Sequence, residues 1–566
     1  MDIKEQANFI WSIADLLRGN FKQSEYGKVI LPFTVLRRFD CVLAPSKEEI
    51  LERNKSLAVS NKAPIFKKYT GHDYYNVSKF DFEKLIDDSN NIDTNLKDYI
   101  NGFSDDVKEI LDNFEIATII EKLKKAGLLY LVVQKFSEIN LGADTIDNLE
   151  MGYMFEELIR KFSEQSNETA GEHFTPREVI ELMVEVLLDT DLDEITTTDG
   201  KVITILDPAC GTGGMLSIAQ NKIRALNSRT TVVPFGQELN PETYATCKSD
   251  MILKNNTNSK IVFGNSFSED GFREQKFDYI LSNPPFGVEW KKVKNFIENE
   301  SKHKGYDGRF GAGTPRISDG SLLFLQHMIS KMQPIEKGGS RIGIVFNGSP
   351  LFSGDAGSGE SEIRKWIIEK DLLEAVIGLP DQLFYNTGIS TYVWILTNRK
   401  TDRRKGKIRL INGTSFFGKM RKSLGNKRNE ITESDRKEIV RLYSTYEHDE
   451  NYIDFDNDDF GYRKITIERP LYDENREVVV EKGNPKPNSK LRDTETVPFK
   501  EDIHEYFKRE VLPHVPDAWI DEKKTKIGYE IPFTRHFYKF TPLRESSVIL
   551  DEIKQLEEKI QKSLNE

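Results

Sequence analysis

Residues 205–216 read ILDPACGTGGML, and this stretch decides the fold of the chain. A short apolar run ends in Asp207, and a glycine-rich turn with Gly211 and Gly213 leads into a second apolar segment. Glycines adopt positive φ easily and let a ligand lie against the main chain, and the N-terminus of a following helix favours negative groups. The spacing differs from G-x-G-x-x-G, which weakens a dinucleotide-binding interpretation. The stretch predicts a strand, a glycine loop and a helix beside a small-molecule site.

Seven short β-rich runs are separated by turns and helical segments, and the first of them leads into this stretch. They are VITIL (202–206), TVVPFG (231–236), KIVFG (260–264), FDYILS (277–282), RIGIVF (341–346), LEAVIGL (373–379) and YVWILT (392–397). Apolar strands that alternate with helices are typical of a mostly parallel sheet covered on both faces. Because ligands bind beyond the carboxyl ends of such strands, the residues that end each run are the candidates for chemistry.

Polar residues end the second and third runs. Glu238 follows the second run, 31 residues after Asp207, where an acid can accept both hydroxyls of a ribose. Asn265 follows the third run, and its amide can pair with an adenine edge. Either residue alone is typical of a solvated turn. Three successive polar strand ends favour a nucleoside-binding site.

The fourth run ends in Asn283, Pro284, Pro285 and Phe286. Prolines stiffen the loop and remove backbone donors, which leaves carbonyl acceptors. The Asn283 amide oxygen and the Pro284 carbonyl can both accept from one amino group, while Phe286 offers a face on which a base can stack for about 1–3 kcal/mol. A strand-terminating turn without chemistry is the other interpretation. Beside the first three strand ends, the motif favours a pocket for an exocyclic amine on a planar heterocycle.

The composition excludes several classes of protein. The 566 residues exceed what one hydrophobic core supports, roughly 250–300 residues. Eighty basic against 92 acidic residues give a net charge of −12, which argues against coating nucleic acid by bulk charge but not against a local basic groove. No apolar run approaches the roughly 20 residues of a membrane span, and the N-terminus lacks a secretory signal. Three cysteines at unrelated spacings indicate free thiols and no metal site, so we expect a cytoplasmic protein.

The two ends of the chain differ from the β-rich part. Residues 1–150 show helical periodicity, which predicts a helical domain. Residues 401–430 hold ten basic side chains and two acids, consistent with either a phosphate-binding surface or a solvated loop. The last segment carries apolar residues at coiled-coil-like spacing. This spacing fits either one helix of a coiled coil that pairs with a partner helix or a terminal helix packed on its own domain. These residues are Ile549, Ile553, Leu556, Ile560 and Leu564.

The motifs together resemble a known family. DPACGTGG, GQELNP and SNPPFG are similar to those of amino-group DNA methyltransferases that use S-adenosyl-L-methionine, and NPPF favours N6 of adenine. Longer strings, in the γ order of motifs, resemble the modification (M) subunit of type I restriction–modification systems over about residues 1–470. These strings are LPFTVLRRFD (31–40), GEHFTPREVIELMV (171–184), FYNTGISTYVWIL (384–396) and KMRKSLGNKRNEI (419–431).

The resemblance implies an α/β fold with a Rossmann-like, mostly parallel seven-stranded sheet, as in S-adenosyl-L-methionine-dependent methyltransferases. It also implies an all-helical N-terminal domain and a C-terminal helical tail. We predict an N-terminal helical domain over 1–150 and a catalytic domain over 151–475 that includes the basic segment. A C-terminal region over 476–566 is predicted to end in a coiled-coil-like assembly helix.

The resemblance further implies which residues bind the cofactor. The first two would wall the methionine end of the cofactor. The next three, which belong to the glycine loop and the strand end before it, would lie near the cofactor's amino group. The last two would hold its ribose and its adenine. In that order they are Phe174, Thr175, Asp207, Gly211, Gly213, Glu238 and Asn265. Many relatives carry aspartate where this chain has Asn265, so the adenine contact is the least typical of the set.

The implied reaction is methylation of adenine N6 in DNA. The target base is flipped out of the duplex into the pocket of Asn283, Pro284 and Phe286. Its amine, held by two acceptors, attacks the sulfonium methyl in line, and positioning supplies much of the rate. No Pro-Cys dipeptide of the kind used by cytosine-C5 enzymes occurs in the sequence. The resemblance implies that a separate specificity (S) subunit reads the target, with two M subunits per S subunit, and that a restriction (R) subunit joins for cleavage.

Two other functions share some of these features. A methyltransferase acting on RNA or on a protein glutamine side chain could use the same cofactor loop and NPPF pocket, although the long helical N-terminus and FYNTGIST speak against it. A non-catalytic scaffold on a methyltransferase fold is the second, and the intact NPPF motif and glycine loop argue against it. Methylation of DNA against RNA or protein, and a cofactor-binding measurement, distinguish these functions.

Overall fold

A computed structural model describes residues 3–166, 175–254, 258–385, 387–538 and 546–565. The chain divides into two units, Met1–Glu530 and Ile531–Glu566. None of the described helices is long and apolar enough to cross a membrane.

The chain begins with helices, as its periodicity predicts. The α-helices before the first strand are α1 Ile3–Leu17, α2 Tyr26–Leu43, α3 Lys47–Ser56, α4 Ala63–Thr70, α5 Phe82–Ile86, α6 Ile92–Asn101, α7 Asp105–Asn113, α8 Ile116–Lys125, α9 Leu129–Ser137, α10 Asn148–Ser166, α11 Arg177–Asp189 and α12 Leu192–Thr197. Helices α1, α2 and α5–α10 share one core, in which side chains such as Ile13, Phe33 and Phe136 are fully buried. Their apolar faces explain the three-and-four spacing in the sequence.

A nine-stranded sheet follows, and it contains all seven predicted strands. Its strands are β1 Val202–Asp207, β2 Thr231–Glu238, β3 Lys260–Phe263, β4 Tyr279–Ser282, β5 Arg341–Asn347, β6 Leu373–Gly378, β7 Thr391–Thr397, β8 Lys407–Asn412 and, after the hairpin β9 Gly418–Leu424 and β10 Lys427–Glu430, β11 Tyr452–Asp456. Their spatial order is β3-β2-β1-β4-β5-β7-β6-β8-β11. Strand β7 is antiparallel to both neighbours and β11 is antiparallel to β8, while the other pairs are parallel. The predicted mostly parallel α/β sheet is confirmed, with β8 and β11 as two additional strands.

Helices cover this sheet. They are α13 Gly214–Leu226, α14 Pro241–Leu253, α15 Lys294–Lys304, α16 Ser321–Ser330, α17 Ser349–Phe352, α18 Gly359–Glu369 and α19 Glu433–Ser444. Helices α11, α13 and α19 bury one core against alternate strand residues such as Ile203, Ile205 and Val393. Side chains on alternate positions of a strand share a face, so this core identifies the face that these helices cover.

The last part of the first unit holds a second, smaller sheet that the sequence did not predict. Its strands are β12 Gly461–Glu468, β15 Asp493–Pro498, β16 Trp519–Ile520 and β17 Lys526–Tyr529, and the last three all pair with β12; the short hairpin of β13 Val480–Glu481 and β14 Asn484–Pro485 precedes β15, and helix α20 Ile503–Tyr506 follows it. The domain boundaries at residues 150 and 475 stay predictions.

The described residues of the second unit form the helices α21 Phe533–Phe537 and α22 Ser546–Asn565. The apolar side chains of α22 from Val548 to Ile560 are exposed, with Leu556 at 58% and Ile560 at 59%. A terminal helix with an apolar stripe is therefore present where its sequence pattern predicts one.

Candidate functional site

The carboxyl end of β1 carries a buried acid. Asp207 is 2% exposed, and its Oδ1 accepts hydrogen bonds from the Ala209 backbone N–H at 3.0 Å and from Ser282 Oγ at 2.9 Å. Burial raises the pKa of Asp207 to about 7, because desolvation outweighs these two donors, which lower it. Since Ser282 ends β4, this contact joins the ends of two neighbouring strands.

The glycine loop after β1 depends on its glycines. Gly211 and Gly213 have φ of 53° and 84°, in the left-handed region that side chains disfavour. A Cβ on Gly213 would also lie 2.7 Å from the Sγ atom of Cys247, so no larger residue fits without rearrangement. Helix α13 starts directly after this loop, as predicted.

Glu238 ends β2 and faces the same loop. Its Oε2 accepts from the Gly211 backbone N–H at 2.8 Å, and its Oε1 accepts from the Asn240 backbone N–H at 2.7 Å. The carboxylate is therefore fixed in orientation while it stays partly open to a cavity. Ionised acceptors of this kind bind hydroxyl groups strongly.

Asn265 follows β3, with its side chain engaged in a turn. Its Oδ1 accepts from the backbone N–H groups of Phe267 at 2.9 Å and Ser268 at 3.3 Å. The turn is held from outside by Arg309, which donates to the carbonyls of Ser266 at 3.0 Å and Phe267 at 2.6 Å. The amide group of Asn265 is thus oriented by its own loop.

The side-chain amide of Asn283, at the end of β4, has a hydrogen-bond partner for its nitrogen but none for its oxygen among the described residues. Its Nδ2 donates to Thr175 Oγ1 at 2.9 Å, whereas its Oδ1 is buried without a hydrogen-bond partner among the described residues. An unsatisfied buried acceptor costs about 1–3 kcal/mol, and a ligand that donates a hydrogen bond to this oxygen would remove that cost. Thr175 orients the amide by accepting from its nitrogen. Phe174 lies outside the described residues.

The NPPF turn continues with a buried Pro284 and a half-buried Phe286. The Phe286 ring meets the ring of Phe384 edge to face, with centroids 6.2 Å apart and an interplanar angle of 71°. Phe384 is 2% exposed and lies in the loop between β6 and β7. The aromatic contact fixes one edge of Phe286 and leaves it partly accessible for stacking.

One cavity of about 440 Å³ brings three of the predicted site residues together. Glu238, Asn265 and Asn283 line it, each at the carboxyl end of a different strand. The apolar lining of this cavity was not predicted, and it includes Leu239, Phe267, Val288, Trp290 and Phe324. Leu239 is the clearest of these, since it stands beside Glu238 in sequence and is 59% exposed although it is a large apolar residue. Asp207 and the two glycines do not line the cavity, but Pro208 and Ala209 of the same loop do.

The basic segment 401–430 does not form one surface. Arg404, Arg409 and Lys427 are buried, at 7%, 2% and 3% exposure. Arg409 pairs with Asp454 at 2.7 Å, and Lys427 pairs with Glu178. These three cations stabilise the fold and cannot reach a phosphate, so only the remaining, exposed ones could serve the predicted role.

Comparison with known proteins identifies the family of the chain. Residues 147–460 match the family described as N-6 DNA Methylase, and residues 6–136 match the HsdM N-terminal domain. The type I restriction enzyme MjaIX methylase subunit of Methanocaldococcus jannaschii is 26% identical over 487 residues, which are 81% of this chain and 80% of that protein. The type I restriction enzyme HindI methylase subunit of Haemophilus influenzae is 31% identical over 280 residues, 48% of this chain and 55% of that protein.

A solved structure is also similar. It is the methyltransferase subunit of a type I restriction-modification system from Streptococcus thermophilus, with a TM-score of 0.63 and 22% identity over 81% of this chain and 96% of that one. This likeness supports the fold. Because the match over residues 147–460 covers more than half of the 566 residues, the chain belongs to the N-6 DNA methylase family, whose members are S-adenosyl-L-methionine-dependent DNA methyltransferases.

Proposed function

We propose that this chain is the modification subunit of a type I restriction–modification complex and methylates N6 of adenine in DNA. The observation that carries the target assignment is the buried, unsatisfied Oδ1 of Asn283 at the end of β4. An amino group is the donor that this oxygen needs, and adenine N6 carries one. The names of the relatives support the role as a methylase subunit.

The residues around the cavity fit the methyl donor. Each oxygen of Glu238 accepts one backbone N–H and can also accept a hydrogen bond from a ribose hydroxyl, because a carboxylate oxygen has two acceptor sites. Leu239 would cover one face of the adenine, and Asn265 would stand at its edge. Asp207, with Gly211 and Gly213 beside it, would attract the ammonium of the methionine part, and Thr175 would lie next to it. S-adenosyl-L-methionine, when bound, supplies an electrophilic methyl group on a sulfonium.

The target-base pocket would act by positioning. Asn283 Oδ1 and the Pro284 carbonyl accept the two amine hydrogens, and Phe286 stacks on the base and offsets part of the cost of flipping it. Thr175 fixes the amide so that its oxygen, and not its nitrogen, faces the amine. Two acceptors of this kind reduce conjugation of the amine with the ring, which makes its lone pair available for attack.

The partners are proposed because the relatives are named as methylase subunits of type I restriction enzymes. We infer that a specificity subunit reads the DNA, that a second copy of this chain joins the same complex, and that a restriction subunit associates for cleavage. The exposed apolar stripe of α22 supports an assembly role for the last helix. The predicted domains 1–150, 151–475 and 476–566 would then serve support, catalysis and assembly.

The test uses the chain co-expressed with its partner subunits. Asn283→Ala and Phe286→Ala should reduce transfer of a tritiated methyl group to DNA at least about a hundredfold, because each removes a group that touches the base. Cofactor binding, measured by isothermal titration calorimetry, should stay within about threefold. Asn101→Ala, at an exposed asparagine that ends α6, is the control.

Unchanged transfer by the Asn283 variant would contradict the pocket assignment. Equal methylation of RNA or of protein by the wild-type complex would contradict the choice of DNA as substrate. Each measurement reports on a separate part of the proposal.

A further inference from the structure

The hairpin of β9 and β10 carries four exposed cations with no ion pair to any described residue. They are Lys419, Arg421, Lys422 and Arg428. The other six basic residues of the segment are engaged: five face a carboxylate within 4.0 Å, and Arg403 stacks on Tyr446 with 3.4 Å between guanidinium and ring centre. In a chain with a net charge of −12, an unneutralised basic hairpin is a local exception.

The hairpin is anchored to the loop between β6 and β7. The backbone N–H of Asn426 donates to the Tyr385 carbonyl at 2.7 Å, and the backbone N–H of Arg428 donates to the Gln382 carbonyl at 2.9 Å. Asn429 Nδ2 donates to the Asp381 carbonyl at 2.9 Å. These hydrogen bonds from one hairpin to a single short stretch of chain hold it firmly to that loop.

The same loop reaches the target-base pocket. Phe384, adjacent to Tyr385, packs edge to face on Phe286 of the NPPF turn. Buried Lys427, between the exposed cations, pairs with Glu178 at the start of α11, three residues after Thr175, which holds the Asn283 amide. The hairpin is thus tied from two sides to the elements that position the base-binding residues.

We propose that the β9–β10 hairpin binds the phosphate backbone of the duplex that flanks the flipped base. The inference rests on the proposed function, since it takes DNA as the substrate. Lysine and arginine side chains bind phosphates without reading sequence, which suits a subunit whose target is read by a partner. Anchoring to the base pocket would keep the bound backbone in register with the base that enters it.

The experiment measures the salt dependence of DNA binding by the assembled methyltransferase complex. In one variant all four cations are replaced: Lys419→Gln, Arg421→Gln, Lys422→Gln and Arg428→Gln. Affinity for a fluorescent duplex is measured by anisotropy between about 50 mM and about 200 mM salt. Each lost phosphate contact lowers the slope of log K against log salt by about 0.9, so the variant should lose up to about four units of slope. Its KM for DNA should rise while its cofactor affinity stays unchanged.

The control variant makes the same change in charge elsewhere: Lys370→Gln, Lys482→Gln, Lys490→Gln and Lys523→Gln, all at exposed positions. It should keep the wild-type slope. A hairpin variant with the wild-type slope would overturn the proposal. So would loss of complex assembly in size-exclusion chromatography, since the hairpin would then bind an acidic surface of a partner. A wild-type complex that methylates no DNA would instead contradict the proposed function.

Discussion

Replacing Asp207 with asparagine should stabilise the protein in the absence of cofactor and weaken its hold on the cofactor. The carboxyl group is 2% exposed, with the Ala209 N–H and Ser282 Oγ as donors, and burial raises its pKa to about 7. An unfolded chain ionises this group near pH ~3.9. The difference of about three pKa units corresponds to about 4 kcal/mol of destabilisation once the group is charged in the folded protein.

The sign of the pH dependence follows from the raised pKa. Between about pH 4 and about pH 7 the folded state holds a proton that the unfolded state has released, so stability falls as pH rises through this window and levels off above about pH 7. The Asp207→Asn variant keeps an amide oxygen as the acceptor but carries no charge at this position. The substitution should therefore stabilise more at about pH 8.5 than at about pH 5.5, by about 2 kcal/mol.

The assay is urea unfolding without cofactor, followed by tryptophan fluorescence, since Trp394 is fully buried in β7. Wild type, Asp207→Asn and the exposed control Asp307→Asn are compared at both pH values. A difference between wild type and Asp207→Asn that does not change with pH would refute the reasoning. Addition of cofactor should stabilise wild type and the control more than Asp207→Asn, because the variant lacks the negative charge that we propose attracts the ligand ammonium.

Four further substitutions probe the cofactor side. Glu238→Ala should weaken cofactor binding about tenfold to a hundredfold in calorimetry, since hydrogen bonds to a charged group are worth about 1.5–3 kcal/mol, and an unchanged Kd would contradict the ribose role. Arg309→Lys should also weaken binding, because lysine cannot hold the Ser266 and Phe267 carbonyls together with Glu300; Glu300→Gln, which keeps an acceptor, should have the smaller effect in the same titration. Ser282→Ala removes a hydrogen bond that lowers the pKa of Asp207. The pH at which cofactor affinity rises should therefore move above about pH 7. An unchanged pH profile would show that Asp207 ionisation does not control cofactor affinity.

The centre of the sheet could be predicted because strands β4 to β7 are buried on both sides. All six residues of β6 are buried, for example, and such a strand reads as one apolar run. Strands β8 and β11 have no such run. Arg409 in β8 is buried because it pairs with Asp454, 45 residues later in β11, and donates to the Leu442 and Tyr443 carbonyls of α19. A partner so far away along the chain leaves no local pattern in the sequence, so β8 looks like part of a basic segment and not like a buried strand.

The polar half of the candidate site could be predicted for a topological reason. Glu238, Asn265 and Asn283 end three strands of one sheet, and the carboxyl ends of parallel strands meet at one edge. The apolar half could not be predicted, because Trp290 and Phe324 look like ordinary core residues in the sequence. Their place in the cavity depends on tertiary packing. The orphaned oxygen of Asn283 is equally invisible in sequence, since only the contact of its nitrogen with Thr175 decides which end of the amide stays free.

The helical N-terminal region also contacts the helix that follows Glu238 at the edge of the sheet proposed to bind the cofactor. Glu109 in α7 accepts from the hydroxyl of Tyr244 at 2.6 Å and pairs with Lys248 at 2.6 Å, both on α14. Helix α14 starts after Asn240, whose backbone N–H holds Glu238 and whose side chain caps the helix. Because the cap and the Glu238 contact share one residue, tilting α14 would move the carboxylate. The N-terminal helices therefore support the geometry of Glu238, the proposed ribose ligand, as well as the stability of the fold.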